Sequence, residues 1–160
     1  MSSPVGRLTL VASDTALSAV LWQDDNPARV PLGPMEEAPA HPVLCEAERQ
    51  LTEYFSGRRT RFTIPLDFMG GTPFQKKVWL ALTAIPFGQT RSYAQLAAQI
   101  GHPAAVRAVG AANGKNPISI IAPCHRVIGS NGKLTGFAGG LKAKAFLLAL
   151  ESGSALPGLD

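Results

Sequence analysis

Cysteine and acidic residues are what this 160-residue chain conspicuously has little of. Its two cysteines, Cys45 and Cys124, are too few for the disulfide framework of a small secreted scaffold, and neither has a second ligand at metal spacing. No apolar run is long enough to span a bilayer, and the first residues lack the basic-then-apolar pattern of a secretory leader. The expectation is a soluble cytoplasmic protein without membrane partner, in the reducing compartment that keeps a thiol free. The shortage of acid is local. From Phe68 to Leu150 there is no Asp or Glu at all. Residues 1–69 hold six Lys/Arg against nine Asp/Glu, and residues 70–160 hold nine against two, so a net charge of +4 conceals an acidic half and a strongly basic one. A domain-sized run of uncompensated cations is the footprint of a polyanion binder, because each neutralised phosphate releases counterions.

What is present divides at Gly70-Gly71. Arg7–Ala12 and Leu17–Trp22, flanking a polar Ser13-Asp14-Thr15-Ala16, predict an antiparallel hairpin. Five prolines between Pro27 and Pro42 make the next stretch irregular, and Val43–Ser56 repeats its apolar residues at helical spacing, with Gly57 as a stop. Arg61–Leu66 is a candidate edge strand, since Pro65 excludes a central one. Cys45 and Trp22 in this half are expected in the core, and His41 in a loop. The expected fold is thus α/β (α+β), with a small β-sheet domain over 1–69 and a mainly helical domain over 70–160.

In the second half, Thr72-Pro73-Phe74-Gln75 has the form of a capping box with proline at the first helical position, and Phe74, Val78, Ala81, Leu82 and Ile85 share one face. Ser92-Tyr93-Ala94-Gln95 repeats the capping logic and opens a short helix to Ile100. Gly101-His102-Pro103 breaks it, and Ala104–Asn113 resumes as a second helix, giving a helix-turn-helix outline. With Val106, Val109 and Asn113 inward, the outer face carries small residues and one long cation, Arg107. Such a face can approach nucleic acid closely.

The chemistry centres on Pro123-Cys124-His125-Arg126-Val127. The apolar run Ile118–Ala122 before it reads as a buried strand, so the cysteine is expected where the backbone leaves the core, with its pKa lowered by the imidazole and nearby cations. In an extended segment adjacent side chains point to opposite faces, so Cys124 and His125 are not expected to touch, which argues against a papain-like hydrolase. The wider segment Asn116-Pro117-Ile118-Ser119-Ile120-Ile121-Ala122-Pro123-Cys124-His125-Arg126-Val127-Ile128-Gly129, continued by Leu134-Thr135-Gly136-Phe137-Ala138-Gly139-Gly140-Leu141, resembles the methylated-DNA–protein-cysteine methyltransferases, or O6-alkylguanine-DNA alkyltransferases. The resemblance runs from about Gly70 to Glu151.

That resemblance implies DNA repair by irreversible, stoichiometric transfer of an alkyl group from O6-alkylguanine, with O4-alkylthymine as a second candidate, to Cys124 of a protein that acts once. It implies a monomer, double-stranded DNA as partner, a nucleotide flipped out through the minor groove, no cofactor, and a ribonuclease-H-like first domain. Some relatives hold a structural zinc there, but this sequence lacks an obvious Cys/His set for it. Carried over residue by residue, His125 matches the water-mediated general base, Glu151 the carboxylate behind it, Asn116 the residue that holds the turns, and Tyr93 the phenol that donates to the departing purine. Arg107 matches the arginine that fills the space of the extruded nucleotide, with Ala105, Ala108, Ala111 and Arg126 as further DNA contacts. Val127, Phe137, Ala138, Gly139 and Lys144 would line the pocket, the backbone near Ala138 meeting O6. Lys144 reads equally well as an exposed cation beside Lys142. Phe137 stands where many relatives have tyrosine and Ala138 where some have serine, which leaves the range of adduct sizes open. A DNA-binding regulator would share the helix-turn-helix but need no thiol, and a cysteine hydrolase would turn over and ignore DNA.

Overall fold

Strands β1 (Thr9–Ala12) and β2 (Leu17–Leu21) form the expected hairpin in the computed structural model, which describes residues 1–132, 134 and 136–156. The pairing is antiparallel with Leu10 opposite Val20, and Ser13 closes the turn by donating its N–H to the Ala16 carbonyl at 2.9 Å. Leu17–Val20 is buried residue by residue, so β2 is covered on both faces. Its free edge meets two irregular segments: Leu17 N–H donates to Pro65 O and Val20 N–H to Pro117 O, both at 2.9 Å. Arg61–Leu66 therefore forms no strand of its own. Pro65 lacks a donor, and the segment makes one parallel bridge, Leu17 to Leu66.

Helix α1 (Pro42–Phe55) starts on His41, whose Nδ1 accepts the Val43 N–H at 3.1 Å, and stops before Gly57 at φ +79°. His41 is thus a helix cap. Ala47, Gln50, Leu51 and Tyr54 face inward, whereas Cys45, expected in the core, is exposed, with its thiol 3.4 Å from the Pro39 carbonyl. The helical pattern runs past Cys45 on its wet side.

The second half opens with α2 (Pro73–Leu82) and α3 (Tyr93–Gln99), each with the predicted capping box, Thr72 with Gln75 and Ser92 with Gln95. Helix α4 (Val106–Gly114) begins two residues later than its sequence suggests, since Ala105 at the N-cap has no side chain to bond the first turn. Trp79 on α2 pins α4 by donating its indole N–H to Ala112 O at 2.7 Å. Before α3, the two-residue strand β3 (Arg91–Ser92) pairs in parallel with β4 (Val127–Ile128), just after the cysteine motif. Two-residue strands have no periodicity to read, and the sequence did not suggest them.

Two cores result. One joins the hairpin and α1 to Ile118, Ile120, Ile121 and Ala122 and to Ala143 and Leu147 of α5 (Leu141–Ser152); the other joins α2, α3 and α4 to Cys124 and Val127. The cysteine motif lies on the seam. Replacing Trp79 with Phe removes one of two donors to the buried Ala112 carbonyl, which keeps the Lys115 N–H at 3.0 Å, so the expected loss is about 0.5–1.5 kcal/mol of stability, read from urea unfolding.

Candidate active site

Ile118–Ala122 is a tight reversal, where a continuous apolar run had suggested a strand. Ile121 N–H donates to Ser119 O at 2.8 Å and Ala122 N–H to Ile118 O at 2.9 Å, and Ile120 adopts φ +71°. A β-branched residue in the left-handed region costs about 1–2 kcal/mol, and complete burial of its side chain offsets that. Asn116 clamps the reversal from within: its amide nitrogen donates to Ala122 O at 2.8 Å, and its carbonyl accepts the Ile118 N–H at 3.1 Å. The chain then enters a 3-10 turn, Cys124–Arg126, so the alternation expected of an extended segment does not apply to Cys124 and His125. Asn113, on the inner face of α4, reaches the Cys124 carbonyl at 3.4 Å.

Behind the cysteine lies a buried ion network. Glu151 Oε2 accepts from His125 Nε2 at 2.7 Å, Arg126 Nη2 at 2.9 Å and the Tyr54 hydroxyl at 2.6 Å, and Oε1 accepts from Arg126 Nε at 2.7 Å. These bonds outweigh the burial that opposes them and hold the Glu151 carboxyl at about 2, so it is an anion. Burial pushes His125 below its ordinary value despite that anion, so the imidazole is neutral. Beside a carboxylate, Nε2 carries the proton, and Nδ1 keeps its lone pair. Nδ1 is buried and bonds to no described residue. That nitrogen is the one able to take a proton.

The thiol departs from expectation. Burial raises the Cys124 pKa more than its neighbours lower it, so the sulfur is a protonated thiol at rest. The opposing influences are hydrogen bonds from Asn116 and Ser119 and the charges of Arg29 and Lys144. Arg29, not singled out in the sequence, is ion-paired to Asp25 at 2.6 Å and donates to the Asn116 carbonyl at 2.8 Å, which fixes it beside the reversal. Lys144 is fully buried and donates to Val127 O at 2.6 Å, with its ammonium 5.8 Å from the centre of the Phe137 ring; the reading of Lys144 as an exposed cation is wrong.

Phe137 stands edge-on to Trp22, with ring centres 5.3 Å apart, and Trp22 donates its indole N–H to Ser119 Oγ at 3.1 Å. A methyl group on Gly139 would lie 2.7 Å from the Trp22 ring, so only glycine lets this loop rest there. Ala138 beside it is exposed. The turn at Gly129–Gly132 closes on Gly129 O, with Gly132 at φ +79°, so Asn131-Gly132 is not the central pair of a two-residue hairpin; Lys133 and Thr135 lie outside the described residues. Tyr93, the first residue of α3, is half-buried against Gly110 of α4. Arg107, Ala108 and Ala111 are exposed on the outer face of α4, and Ala105 is half-buried at its start. Arg126, expected as a DNA contact, is buried, with its guanidinium turned inward to Glu151 and, at 2.6 Å, to the Ile85 carbonyl. Among the described residues no three His, Cys, Asp or Glu side chains cluster as a metal site.

Tyr54, Arg29, Ser119 and Trp22 thus join the site from outside the motif. Tyr54 and Arg29 left no local signal, since each acts on a residue far along the chain, whereas Ser119 lies only five residues before the cysteine and faces it because the chain reverses between them. Trp22 was visible only as the end of an apolar strand.

Family models describe both halves: residues 1–68 match the ribonuclease-like domain of 6-O-methylguanine DNA methyltransferase, and residues 73–153 match its DNA-binding domain. The chain is 50% identical over 151 residues to the methylated-DNA–protein-cysteine methyltransferase of Mycolicibacterium paratuberculosis, covering 94% of this chain and 89% of that protein. It is 58% identical over 111 residues to the constitutive enzyme of Bacillus subtilis, covering 69% and 67%. The crystal structure of Mycobacterium tuberculosis OGT in complex with DNA superimposes with a TM-score of 0.84 at 47% identity, over 96% of this chain and 91% of that one.

The network makes stability fall in acid in two stages. His125 is held below 6.5, so the unfolded chain binds its proton first and stability declines as pH drops through that value. Glu151 is depressed from 4.5 to about 2, so its contribution is intact above 4.5 and is lost between there and about 2. Urea midpoints measured against pH are expected to show both declines. His125→Gln should abolish the upper one and leave the lower.

Proposed function

The chain belongs to the methylated-DNA–protein-cysteine methyltransferases, a family of DNA-repair alkyltransferases, and from that membership we propose that it transfers the alkyl group of O6-alkylguanine in duplex DNA to Cys124, once per molecule. The observation that carries this reading is a buried thiol backed by an ordered His125–Glu151 pair. A proton acceptor, an acceptor sulfur and an exposed helix face bearing Arg107 belong to one compact unit, because Asn113 bonds the cysteine's own carbonyl.

In the proposed reaction α4 enters the minor groove, and Arg107 occupies the space of the extruded nucleotide while the base enters beside Cys124. The thiol proton passes to Nδ1 of His125 through a water, and Glu151 stabilises the imidazolium. The sulfur then attacks the alkyl carbon: an S–C bond forms, the C–O6 bond breaks, and the electron pair leaves with the purine. Tyr93 donates a proton toward the ring as that charge develops, and backbone N–H groups near Ala138 stabilise O6. Phe137 and Val127 wall the base, Gly139 lets the loop rest against Trp22, and Lys144 holds the Val127 carbonyl. Ala105, Ala108 and Ala111 let the helix approach the groove. The division of labour falls at Gly70-Gly71, and O4-alkylthymine fits the same chemistry. The product is a thioether with no better leaving group than the thiolate, so the protein is spent, without cofactor, and works as a monomer.

The test uses a duplex with radiolabelled O6-methylguanine. Label is expected on the protein, rising to a plateau of one alkyl group per molecule and restarting only when fresh protein is added. Cys124→Ser should carry none while still binding DNA. Turnover beyond one equivalent, or label on Cys45, would overturn the mechanism.

Arg107→Ala is expected to slow transfer from duplex substrate more than it weakens binding, and binding itself should fall steeply with salt because it rests on the basic half. Salt-independent affinity, or unchanged transfer, would remove Arg107 from this role.

A further inference from the structure

We infer that Tyr54, which α1 contributes from the half of the chain without the cysteine motif, is a positioning residue for the transfer: its hydroxyl fixes the Glu151 carboxylate and sets the strength of His125 as a base. The inference rests on the reading of His125 as the base. Its evidence is the sharing of one atom. Glu151 Oε2 takes the Tyr54 hydroxyl at 2.6 Å and the His125 Nε2–H at 2.7 Å, so the phenol draws on the same oxygen charge that steadies the imidazole.

A core tyrosine usually satisfies its hydroxyl on whatever acceptor lies nearest, but here the surroundings hold it to this one. Tyr54 is 1% exposed, and its ring is enclosed by Phe55 at 5.3 Å, Phe62 at 5.5 Å and Phe87 at 6.2 Å between ring centres. Phe87 also lies under the Arg126 guanidinium, 5.8 Å from its centre, so the same aromatic wall orients the other donor to Glu151. Burial and the Glu151 charge drive the phenol's ionisation far above its ordinary range, which makes Tyr54 a donor at every working pH.

The groups that face His125 come from three elements. Glu151 and Lys144 come from α5, Cys124 and Arg126 from the 3-10 turn, and Tyr54 acts through Glu151 from α1. Burial is the largest influence against the imidazolium, Arg126 and Lys144 add to it, and Glu151 alone favours the charged ring. Deleting the phenol hydroxyl leaves more of the carboxylate's charge for the imidazole. His125 then holds its proton to higher pH, and neutral base appears later on the alkaline side.

The experiment measures single-turnover transfer against pH together with the imidazole titration of His125 by nitrogen NMR, which needs only three histidines resolved. For Tyr54→Phe, the acid limb of the rate profile and the His125 titration should both move to higher pH by several tenths of a unit. With 3,5-difluorotyrosine at position 54, a stronger donor of nearly the same shape, both should move to lower pH. In a Glu151→Gln background the Tyr54→Phe shift should vanish. A role in packing alone would lower the melting temperature and the rate at all pH values and move neither titration; that result, or shifts of one sign for both substitutions, overturns the inference. If Tyr54→Phe does not fold, the fluorinated protein decides by itself. If the protein proves not to transfer alkyl groups, the NMR titration still decides what Tyr54 does, so the two readings fail separately.

Discussion

The burial of one carboxylate governs how this chain is assembled. An anion withdrawn from water is costly unless its lone pairs are filled, and leaving it with a missing partner costs about 3–5 kcal/mol. Glu151 is filled by donors from Tyr54, His125 and Arg126, the first of them 97 residues away in sequence. Meeting that demand brings α1, the cysteine turn and the last helix to one point. It gives a reason for α5 to pack with the hairpin and α1, although the sequence places it in the helical half.

The same burial refines the charge pattern. Residues 70–160 contain nine cations and two acids, but Glu151 is inside and Asp160 lies outside the described residues. Arg126 and Lys144 are also inside, spent on Glu151 and on backbone carbonyls. What reaches solvent is Lys76, Lys77, Arg107, Lys115 and Lys142, with Arg91 half-buried, and without an exposed acid among the described residues of that half. A count of charges overstates the number of available cations and still gives the right sign, because the buried acid is neutralised by a buried base.

Much of the helical half was legible because its signals are local. Thr72 with Gln75 and Ser92 with Gln95 specify helix starts within four residues, and Gly101 at φ +79° marks the turn between α3 and α4. Non-local features were hidden. Ile118–Ala122 looks like a strand because an apolar run reports burial and not backbone direction, and its reversal depends on Asn116 and a left-handed Ile120. Arg126 follows a reactive cysteine in a basic half, and only the position of Glu151 reveals that it points inward. Within the site, the motif supplied Cys124 and His125, while Tyr54 and Arg29 come from contacts that only tertiary structure creates.

The thiol's resting state then fits the proposed single use. A permanently ionised cysteine would react with any small electrophile, and for a protein that is spent by one alkylation each such event is a loss. Burial keeps Cys124 protonated, while Asn116, Ser119, Arg29 and Lys144 stand ready to stabilise the anion, and His125 is neutral with Nδ1 able to accept the proton. In the proposed mechanism the thiolate forms only when a base fills the space beside it and the proton has somewhere to go. Low basal reactivity and high reactivity toward the lesion therefore come from one arrangement: a desolvated sulfur whose compensating charges are already in place and whose base is held in one tautomer by a carboxylate that cannot move.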